Sequence, residues 1–341
     1  MTVINSKVAG SFLLGAITAI FASYIIEWHH SHHIHSQKTA YHRTRGDHGG
    51  HIENLHEVAE RIYWDSRKRA SIERRALTHR SLSGPATSLR FDLRIWDFFY
   101  PKYNCPLLKE RIGRLGDGGK WVCGLRTLLQ GRSCLVYSIG SAGDTSFELE
   151  VINRTSCEVH TFDHTLEEKL RKQVAKVAGL TFHPVGIGDP DNGAGLQKLD
   201  QVMMDLGHEW VDLLKIDIET SEWELFSDFY AAQGASLPAT QLLVEFHWNW
   251  SAHVPGPAPA ITWDQAIIWE VFDKLEADNF RVFAVEPNYY CNQGCCAGDF
   301  VEFAFIKVSP GGQICTPVQS TGTSKAGQTV LPHGCITELT S

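Results

Sequence analysis

Short apolar runs alternate with longer polar stretches between about residues 91 and 308. The runs are rich in Val, Ile and Phe, which favour buried strands, and the polar stretches between them are long enough for helices. This alternation predicts an α/β sheet that is covered by helices on both faces. Seven strands are predicted, at residues 134–139, 158–162, 180–185, 211–218, 241–246, 281–285 and 300–308.

The last two predicted strands are joined by a loop of about 14 residues. A loop of this length is too short for an ordinary crossover helix, so these two strands should pair antiparallel. We therefore expect a sheet of six parallel strands and one antiparallel strand near the C-terminus.

The N-terminus has a different pattern, an uncharged stretch of 19 residues from 8 to 26 between Lys7 and Glu27. A helix of that length just spans a hydrocarbon core of about 30 Å, and Tyr24 and Trp28 lie where interfacial aromatic residues belong. Residues 1–26 are therefore predicted to be a single transmembrane anchor. The alternative is a signal peptide that is removed by cleavage.

Histidines crowd the segment after the anchor, with five of them among residues 29–35 and nine of the chain's 17 between 29 and 56. This segment is either a metal-binding tract or a solvated linker. Residues 27–90 as a whole are interpreted as this linker followed by a helical stem.

The stem is expected to be a helix over residues 51–80 that ends at the Gly and Pro of positions 84–85. Residues 91–308 then form the main domain, and residues 309–341 form a flexible tail rich in Gly, Ser, Thr and Pro. The apolar face of the stem helix is predicted to hold Ile52, Leu55, Ala59 and Ile62.

Three features of the sequence indicate the cellular compartment of the main domain: its charge distribution, its cysteines and its glycosylation motifs. The basic residues at positions 38, 43 and 45 favour a cytosolic domain, whereas nine cysteines favour an oxidising compartment. The sequons at Asn153 and Asn249 are compatible with the second reading. We expect a domain facing the lumen of the Golgi or endoplasmic reticulum, or a secreted protein if the N-terminal segment is cleaved. Cysteine spacing groups Cys105 with Cys123, Cys291 with Cys295 and Cys296, and Cys315 with Cys335.

The formal net charge of −8 argues against a nucleic-acid partner, because such a partner selects a basic surface.

The strongest local motif is the first predicted strand with the turn and helix that follow it. Gly140, Gly143 and Asp144 lie in that turn, where glycines allow close approach of a ligand and a helix N-terminus offers free N–H groups. The turn lacks the third glycine of the dinucleotide fingerprint, which argues against NAD.

Asp163 lies 20 residues beyond Gly143, at the tip of the second strand. It is placed to bind a ribose diol; the alternative is a helix N-cap.

Gly186, Gly188 and Asp189 follow the third strand, where they either border an adenine or form a plain turn. The segment 116–120, GDGGK, precedes the first strand and is expected to fold over the site as a turn, with Lys120 and Trp121 free to contact a ligand.

Carboxylates and an imidazole cluster at the ends of the fourth and fifth strands. The fourth strand delivers Asp217 and Glu219, followed by Glu222, and the fifth delivers Glu245 and His247. Ligands of open α/β sheets bind at this edge, so these groups are candidates for general-base chemistry. The alternative is a structural network of ion pairs. No metal ion is expected among them.

These motifs together resemble the methyltransferase-like 24 family and, more distantly, the FkbM-type methyltransferases. Thr220 replaces a glycine, since FkbM-type chains usually have KIDVEG where this chain has KIDIET. The resemblance spans roughly residues 95–308 and is carried by CPLLKERIGRLGDGGKWVCG (105–124), SIGSAGD (138–144), FDHT (162–165), LLKIDIETSEWELF (213–226), LLVEFHW (242–248) and DFVEFAFIKV (299–308).

The resemblance implies a Rossmann-like class I methyltransferase fold and S-adenosylmethionine as cofactor. It assigns Gly140 and Gly143 to the cofactor loop, Asp163 to the ribose and Asp217 to the reaction centre. FkbM relatives methylate hydroxyl groups, so a hydroxyl acceptor is expected, with a glycan as the first candidate. Asp217 or His247 would remove the hydroxyl proton, while Glu219 and Glu245 orient the base or the acceptor.

Two other functions fit parts of the sequence. A membrane-anchored glycosyltransferase could bind Mn²⁺ and a nucleotide sugar through the acidic residues of 189–191 or 217–219. A membrane-tethered protein could also keep the methyltransferase fold without any catalysis.

Overall fold

In the computed structural model of the 341-residue chain, the described residues begin at Asn54. The described residues are 54–82, 95–129, 131–192, 195–232, 234–247, 265–288, 300–310, 312–316, 329–330 and 336–337.

The helices and strands follow the alternation that the sequence predicts. The helices are α1 (Leu55–Leu82), α2 (Ser146–Arg154), α3 (Glu168–Val174), α4 (Leu199–Leu206), α5 (Glu222–Ala231) and α6 (Gln265–Ala277). The strands are β1 (Lys109–Ile112), β2 (Lys120–Cys123), β3 (Leu135–Ile139), β4 (Glu158–Phe162), β5 (Leu180–His183), β6 (Gly186–Ile187), β7 (Leu196–Gln197), β8 (Val211–Ile216), β9 (Ala239–His247), β10 (Phe280–Pro287), β11 (Phe300–Lys307), β12 (Thr329–Val330) and β13 (Ile336–Thr337). Three short helical turns cover Ile95–Phe99, Leu125–Leu129 and Pro190–Asn192.

The central sheet has seven strands in the order β10-β11-β9-β8-β3-β4-β5. Strand β11 pairs antiparallel with both of its neighbours, and the other six strands run parallel to one another. The predicted sheet of six parallel strands and one antiparallel strand is confirmed. All seven predicted strands are present, with ends that differ by two residues or fewer.

The sheet is buried on both faces, which explains the nearly continuous apolar runs of its central strands. All six residues of β8 and all nine residues of β9 are buried. Side chains alternate between the faces, so Val136 belongs to one apolar core and its neighbour Tyr137 to the other. Helices α4, α5 and α6 cover the Tyr137 face, while α1, α2 and the β1–β2 hairpin cover the Val136 face.

Helix α1 packs on the domain through fewer apolar residues than its sequence pattern suggests. Of the predicted apolar face, Ala59 is buried, but Leu55 and Ile62 are 61% and 38% exposed. The helix is attached by Glu60, whose Oε1 lies 3.0 Å from the buried guanidinium of Arg281. The same guanidinium lies 4.3 Å from the ring centre of Tyr63. The predicted face was therefore only partly correct, because ionic and aromatic contacts hold this helix.

All five cysteines among the described residues are disulfide-bonded. Cys105–Cys123 is present as the spacing predicts, and a second bond joins Cys134 to Cys157 at the amino ends of β3 and β4. Cys315 is also disulfide-bonded, while its predicted partner Cys335 lies outside the described residues. After β11, Ser309 turns the chain back through hydrogen bonds to Gln313.

Among the helices of the described part, none is long and apolar enough to cross a membrane. The anchor predicted at residues 8–26 and the His-rich segment 29–51 lie outside the described residues.

Candidate functional site

A cavity of about 650 Å³ opens at the carboxyl ends of β3, β4 and β8, where ligands of open α/β sheets bind. Glu245 and His247 are not among its lining residues; both are almost completely buried behind its wall. Eight of the ten predicted site residues line the cavity: Gly140, Gly143, Asp144, Asp163, Gly186, Asp189, Asp217 and Glu219.

The glycine turn after β3 brings two strands unusually close together. Gly140 has a φ of +80°, and a Cβ at this position would lie 1.7 Å from the carbonyl oxygen of Asp217. Any side chain there would force β3 and β8 apart, so this glycine is a steric requirement. Gly143 has a φ of +84°, but a Cβ there would make only ordinary contact with Leu170 at 3.4 Å. Glycine is therefore needed at position 143 only for its positive φ and not for lack of space.

Asp163 fastens this turn to the end of β4. Its Oδ2 accepts hydrogen bonds from the backbone N–H groups of Ser141 and Ala142 and from the Ser141 hydroxyl, all at 3.0 Å. Its Oδ1 accepts from the N–H and hydroxyl of Thr165 at 2.9 and 2.7 Å. Burial would raise the pKa of Asp163, but the hydrogen bonds from Thr165 and Ser141 outweigh burial and lower it.

The N-cap alternative for Asp163 does not hold, because α3 begins at Glu168 and its N-cap residue is Glu167. Binding of a ribose by Asp163 stays a prediction, although the residue lines the cavity.

The β1–β2 hairpin folds over the cavity, as expected for the GDGG segment. Arg114, Asp117 and Gly118 line the cavity, and Arg114 Nε lies 3.0 Å from Asp144 Oδ2. A Cβ at Gly118 would lie 2.6 Å from that same carboxylate oxygen. The glycine thus lets the hairpin approach the turn after β3.

The opposite end of the cavity is largely apolar. Phe162, Ile187 and Leu196 line it beside Gly186 and Gly188. Strands β6 and β7 form a two-residue parallel pair that brings Leu196 against these glycines. An apolar end beside backbone groups suits a flat heterocycle such as adenine.

The charge of the wall favours a cationic ligand. Three of the lining side chains are basic, Arg114, Lys215 and His164, against seven that are acidic. An excess of carboxylates fits the sulfonium and ammonium groups of S-adenosylmethionine, whereas it opposes the diphosphate of a nucleotide sugar. The acidic lining residues are Asp117, Asp144, Asp163, Asp189, Asp217, Glu219 and Glu224.

Behind the cavity, Lys120 is buried among three carboxylates. Its Nζ lies 3.2 Å from Asp217 Oδ2 and 3.8 Å from Glu245 Oε2, and it donates a hydrogen bond to Glu302. Burial would lower the pKa of Lys120, but the carboxylates, Glu302 above all, outweigh burial and raise it. The expected contact of Lys120 with a ligand is therefore wrong, since this side chain is 1% exposed and does not line the cavity.

The carboxylates around Lys120 differ in protonation. Burial would raise the pKa of Asp217, but Lys120 and Lys215 hold it below its usual range, so Asp217 is ionised. Burial raises the pKa of Glu245 well above its usual range, and Glu302 and Asp217 raise it further. Glu245 therefore holds a proton more readily than Asp217 does, and its Oε1 accepts a hydrogen bond from Asn288 at 2.8 Å. Burial raises the pKa of Glu302 as well.

His247 lies between two glutamates. Its Nδ1 is 3.0 Å from Oε1 of the fully buried Glu222, and its Nε2 is 3.2 Å from Oε2 of Glu219. Burial would lower the pKa of His247, but Glu222, Glu245 and Glu219 outweigh burial and raise it to about 10. The ring is therefore an imidazolium at neutral pH and has no lone pair to accept a proton.

Glu219 is the member of this group that faces the cavity. Burial against the protein raises the pKa of Glu219 to about 7, and Asp217, Glu222 and Asp117 add to that rise against the opposing charge of His247. The carboxylate nevertheless remains 56% exposed, since it lies on the cavity wall. A carboxylate with this pKa can exchange a proton at neutral pH.

The backbone that presents Glu219 is unusual. Glu219 and Thr220 have φ values of +54° and +85°, in a backbone region that residues other than glycine rarely adopt. The second value explains why the related KIDVEG motif has glycine at the position of Thr220.

Glu302 and Asn288 belong to this cluster but were not predicted. Glu302 lies within the buried strand β11, directly opposite Glu245 of β9. A charged residue inside an apolar run, as in FVEFAFIK, was the one available signal, because a charge in such a place needs a partner.

The chain is similar to known methyltransferases. A family model described as a methyltransferase domain matches residues 56–307. A probable methyltransferase-like protein 24 from Homo sapiens is 27% identical over 166 residues, 46% of this chain and 43% of that protein. The Rattus norvegicus protein of the same description is 28% identical over 171 residues, 47% of this chain and 45% of that protein. The chain thus spans less than half the length of these relatives.

Among solved structures, the fibrillarin pre-rRNA processing protein of Methanococcus jannaschii is similar over 52% of this chain and 67% of its own, with a TM-score of 0.31 and 15% identity. The sequence matches confirm the resemblance to the methyltransferase-like 24 family. The domain match supports the predicted enzyme class, a methyltransferase that uses S-adenosylmethionine, over the glycosyltransferase alternative.

Proposed function

This chain belongs to the family of methyltransferase domains, and from that premise we propose that it transfers a methyl group from S-adenosylmethionine to a hydroxyl oxygen, with Glu219 as the general base. The observation that carries the proposal is the position of Glu219 on the cavity wall, with a pKa of about 7. The best general base has a pKa near the working pH.

The other predicted bases suit this task less well. His247 is already protonated, and the lowered pKa of Asp217 makes it a weak base. We therefore reverse the roles expected from the sequence. His247 holds one oxygen of Glu219, Glu222 holds His247, and Asp217 contributes an ionised carboxylate to the wall.

The chemistry asked of the protein is mainly alignment. S-adenosylmethionine supplies a methyl carbon that its sulfonium has already made electrophilic. The turn at 140–143 and the acidic wall would hold the cationic cofactor, and the apolar end at Phe162 and Ile187 would receive its adenine. Glu219 would take the proton of the attacking hydroxyl, and the cofactor, once it has given up its methyl group, would leave as S-adenosylhomocysteine.

We further propose that the domain works in the lumen of the secretory pathway, tethered by residues 8–26, on a glycan hydroxyl. The disulfides Cys105–Cys123 and Cys134–Cys157 support an oxidising compartment, because such bonds seldom persist in the cytosol. A protease-protection assay on microsomes tests the placement. The domain should survive added protease until detergent is present, and its digestion without detergent would contradict a lumenal location.

The catalytic proposal is tested with S-adenosylmethionine labelled in its methyl group and a panel of glycans, lipids and small alcohols. Glu219→Gln should lower kcat by about 10²–10⁴-fold while leaving cofactor affinity unchanged in calorimetry. Glu167→Gln is the control, since Glu167 is an exposed glutamate that does not line the cavity. It should retain most of the activity.

Two results would contradict the proposal. Methylation of nitrogen or carbon acceptors alone would exclude hydroxyl transfer. Failure of the folded chain to bind S-adenosylmethionine would favour the non-catalytic alternative.

A further inference from the structure

Three histidines meet on one face of the sheet beside the cavity. His160 lies in β4, His183 ends β5 and His208 follows α4. The rings of His160 and His183 stack with centres 5.1 Å apart, and His208 meets His160 edge-on at 5.1 Å. None of the three lines the cavity, whereas Phe162, whose ring stacks on that of His183, does. The proposed methyl transfer makes no use of them.

An acidic side chain completes the group. Glu158 Oε1 lies 2.8 Å from His160 Nε2 at the start of β4. Glu158, His160 and His208 each offer one ligand atom, and these atoms lie within 4.8 Å of one another. Ligand atoms around a tetrahedral zinc ion lie about 3.4 Å apart, given zinc–nitrogen distances of about 2.0–2.1 Å. Small side-chain rotations would therefore close the three groups around an ion.

The surrounding contacts resemble those that orient metal ligands. A histidine ligand usually engages its second ring nitrogen in a hydrogen bond, which sets the tautomer and the ring orientation. His208 Nδ1 lies 2.6 Å from the Tyr137 hydroxyl, and His160 Nδ1 lies 2.8 Å from His183 Nε2. Each imidazole is thus oriented through its Nδ1, while His160 Nε2 faces the Glu158 carboxylate with which it would share the ion.

Access also fits this use. Glu158 is 61% exposed, so an ion could enter from solvent and meet this carboxylate first.

We propose that Glu158, His160 and His208 form a binding site for a zinc ion or a similar divalent transition metal, with water as the fourth ligand. Tyr137 and His183 act as positioning residues through their hydrogen bonds to His208 and His160. The ion would tie the start of β4 to the loop after α4. This site is separate from the methyl-transfer cavity and does not depend on the proposed activity.

The test measures zinc bound by the full chain after dialysis against zinc-buffered solution, with metal analysis and calorimetry. The histidines of residues 29–35 can also bind zinc, so the result is a difference between variants. Glu158→Ala and His208→Ala should each bind one equivalent fewer than the wild-type chain. Glu209→Ala is the matched control, since Glu209 is an exposed glutamate next to His208. It should bind as much zinc as the wild type.

A further variant separates ligands from positioning residues. Tyr137→Phe keeps the ring but removes the hydroxyl, so zinc affinity should fall about 10–100-fold. At a high zinc concentration this variant should still bind the same number of zinc equivalents as the wild type. Zinc should also raise the Tm of the wild-type chain more than that of Glu158→Ala. Equal zinc binding by the wild type, Glu158→Ala and His208→Ala would overturn the proposal. Because Glu158 is exposed, its substitution should not unfold the chain.

Discussion

The two sides of the cavity are built in different ways. The side at β3 and β4 uses backbone geometry: Gly140 allows two strands to touch, and Asp163 ties the glycine turn to β4 through three hydrogen bonds. The side at β8, β9 and β11 uses ionisable side chains, among which Lys120 and His247 balance several carboxylates.

This contrast separates two tasks. A cofactor with fixed shape is suited to a rigid backbone cradle, whereas proton transfer needs groups whose pKa values differ from one another. On the ionisable side, burial and closely spaced charges move the pKa values apart: the pKa of Asp217 is lowered, that of Glu245 is raised well above its usual range, and that of Glu219 is raised to about 7. Substitutions on the two sides should therefore have different consequences.

The largest effect is expected on the ionisable side, from Lys120→Met. Removal of the ammonium leaves buried carboxylates without their cation, which should lower the free energy of unfolding by about 3–5 kcal/mol in urea titrations. Lys172→Met is the control, since that lysine pairs with Glu168 on the exposed surface and should change little.

The Lys120→Met loss should also depend on pH. Lys120 holds the pKa of Asp217 below its unfolded value in the folded wild-type chain, so the wild type loses stability as the pH falls below about 5. Without the ammonium, burial is less opposed and the pKa of Asp217 rises, so the variant loses less stability and the difference between the two chains shrinks. A loss that stays constant as the pH falls would contradict the assigned protonation states.

On the side at β3 and β4, the substitution Gly140→Ala should introduce a steric clash. Its Cβ would overlap the Asp217 carbonyl oxygen, so we expect a loss of about 1–3 kcal/mol in unfolding free energy and at least about tenfold weaker cofactor binding in calorimetry. Gly131→Ala is matched to it, because Gly131 also has a positive φ but nothing within 4 Å of its Cβ position. If both variants bind the cofactor equally well, the steric explanation is wrong.

The pH dependence of the two sides should differ as well. The lowered pKa of Asp163 keeps it ionised, so cofactor affinity should stay flat across the range in which Glu219 titrates. Methyl transfer needs deprotonated Glu219, so its rate should rise with pH through a midpoint near 7. Kinetics and calorimetry over one pH series measure both. A flat rate profile would remove Glu219 from the role of base.

The smallest effect is expected from Thr220→Gly. Relief of the positive φ should recover about 1–3 kcal/mol of strain, and the greater freedom of glycine in the unfolded chain should offset roughly 0.5–1 kcal/mol of it. The variant should therefore be about 1 kcal/mol more stable in urea. Thr181→Gly, at an exposed position in β5, should be destabilised instead. Equal losses in both would show that Thr220 is not strained.

Sequence reasoning was most successful where a residue type has one dominant use. Apolar runs placed all seven strands of the central sheet, and the short loop before β11 predicted its antiparallel pairing. Glycines marked the turn after β3 because few other residues tolerate its backbone. The apolar face of α1 was only partly correct, since the contacts of Glu60 and Tyr63 with Arg281 depend on a strand more than 200 residues away.

The sequence by itself determined the sheet, the edge at which a ligand binds and most of the residues that line the cavity, because strand periodicity and turn chemistry are local properties. Only the tertiary structure decided the roles of Lys120, Glu219, His247 and Glu302. Their pKa values depend on burial and on charges brought together from β2, β8, β9 and β11, and no local pattern encodes those distances.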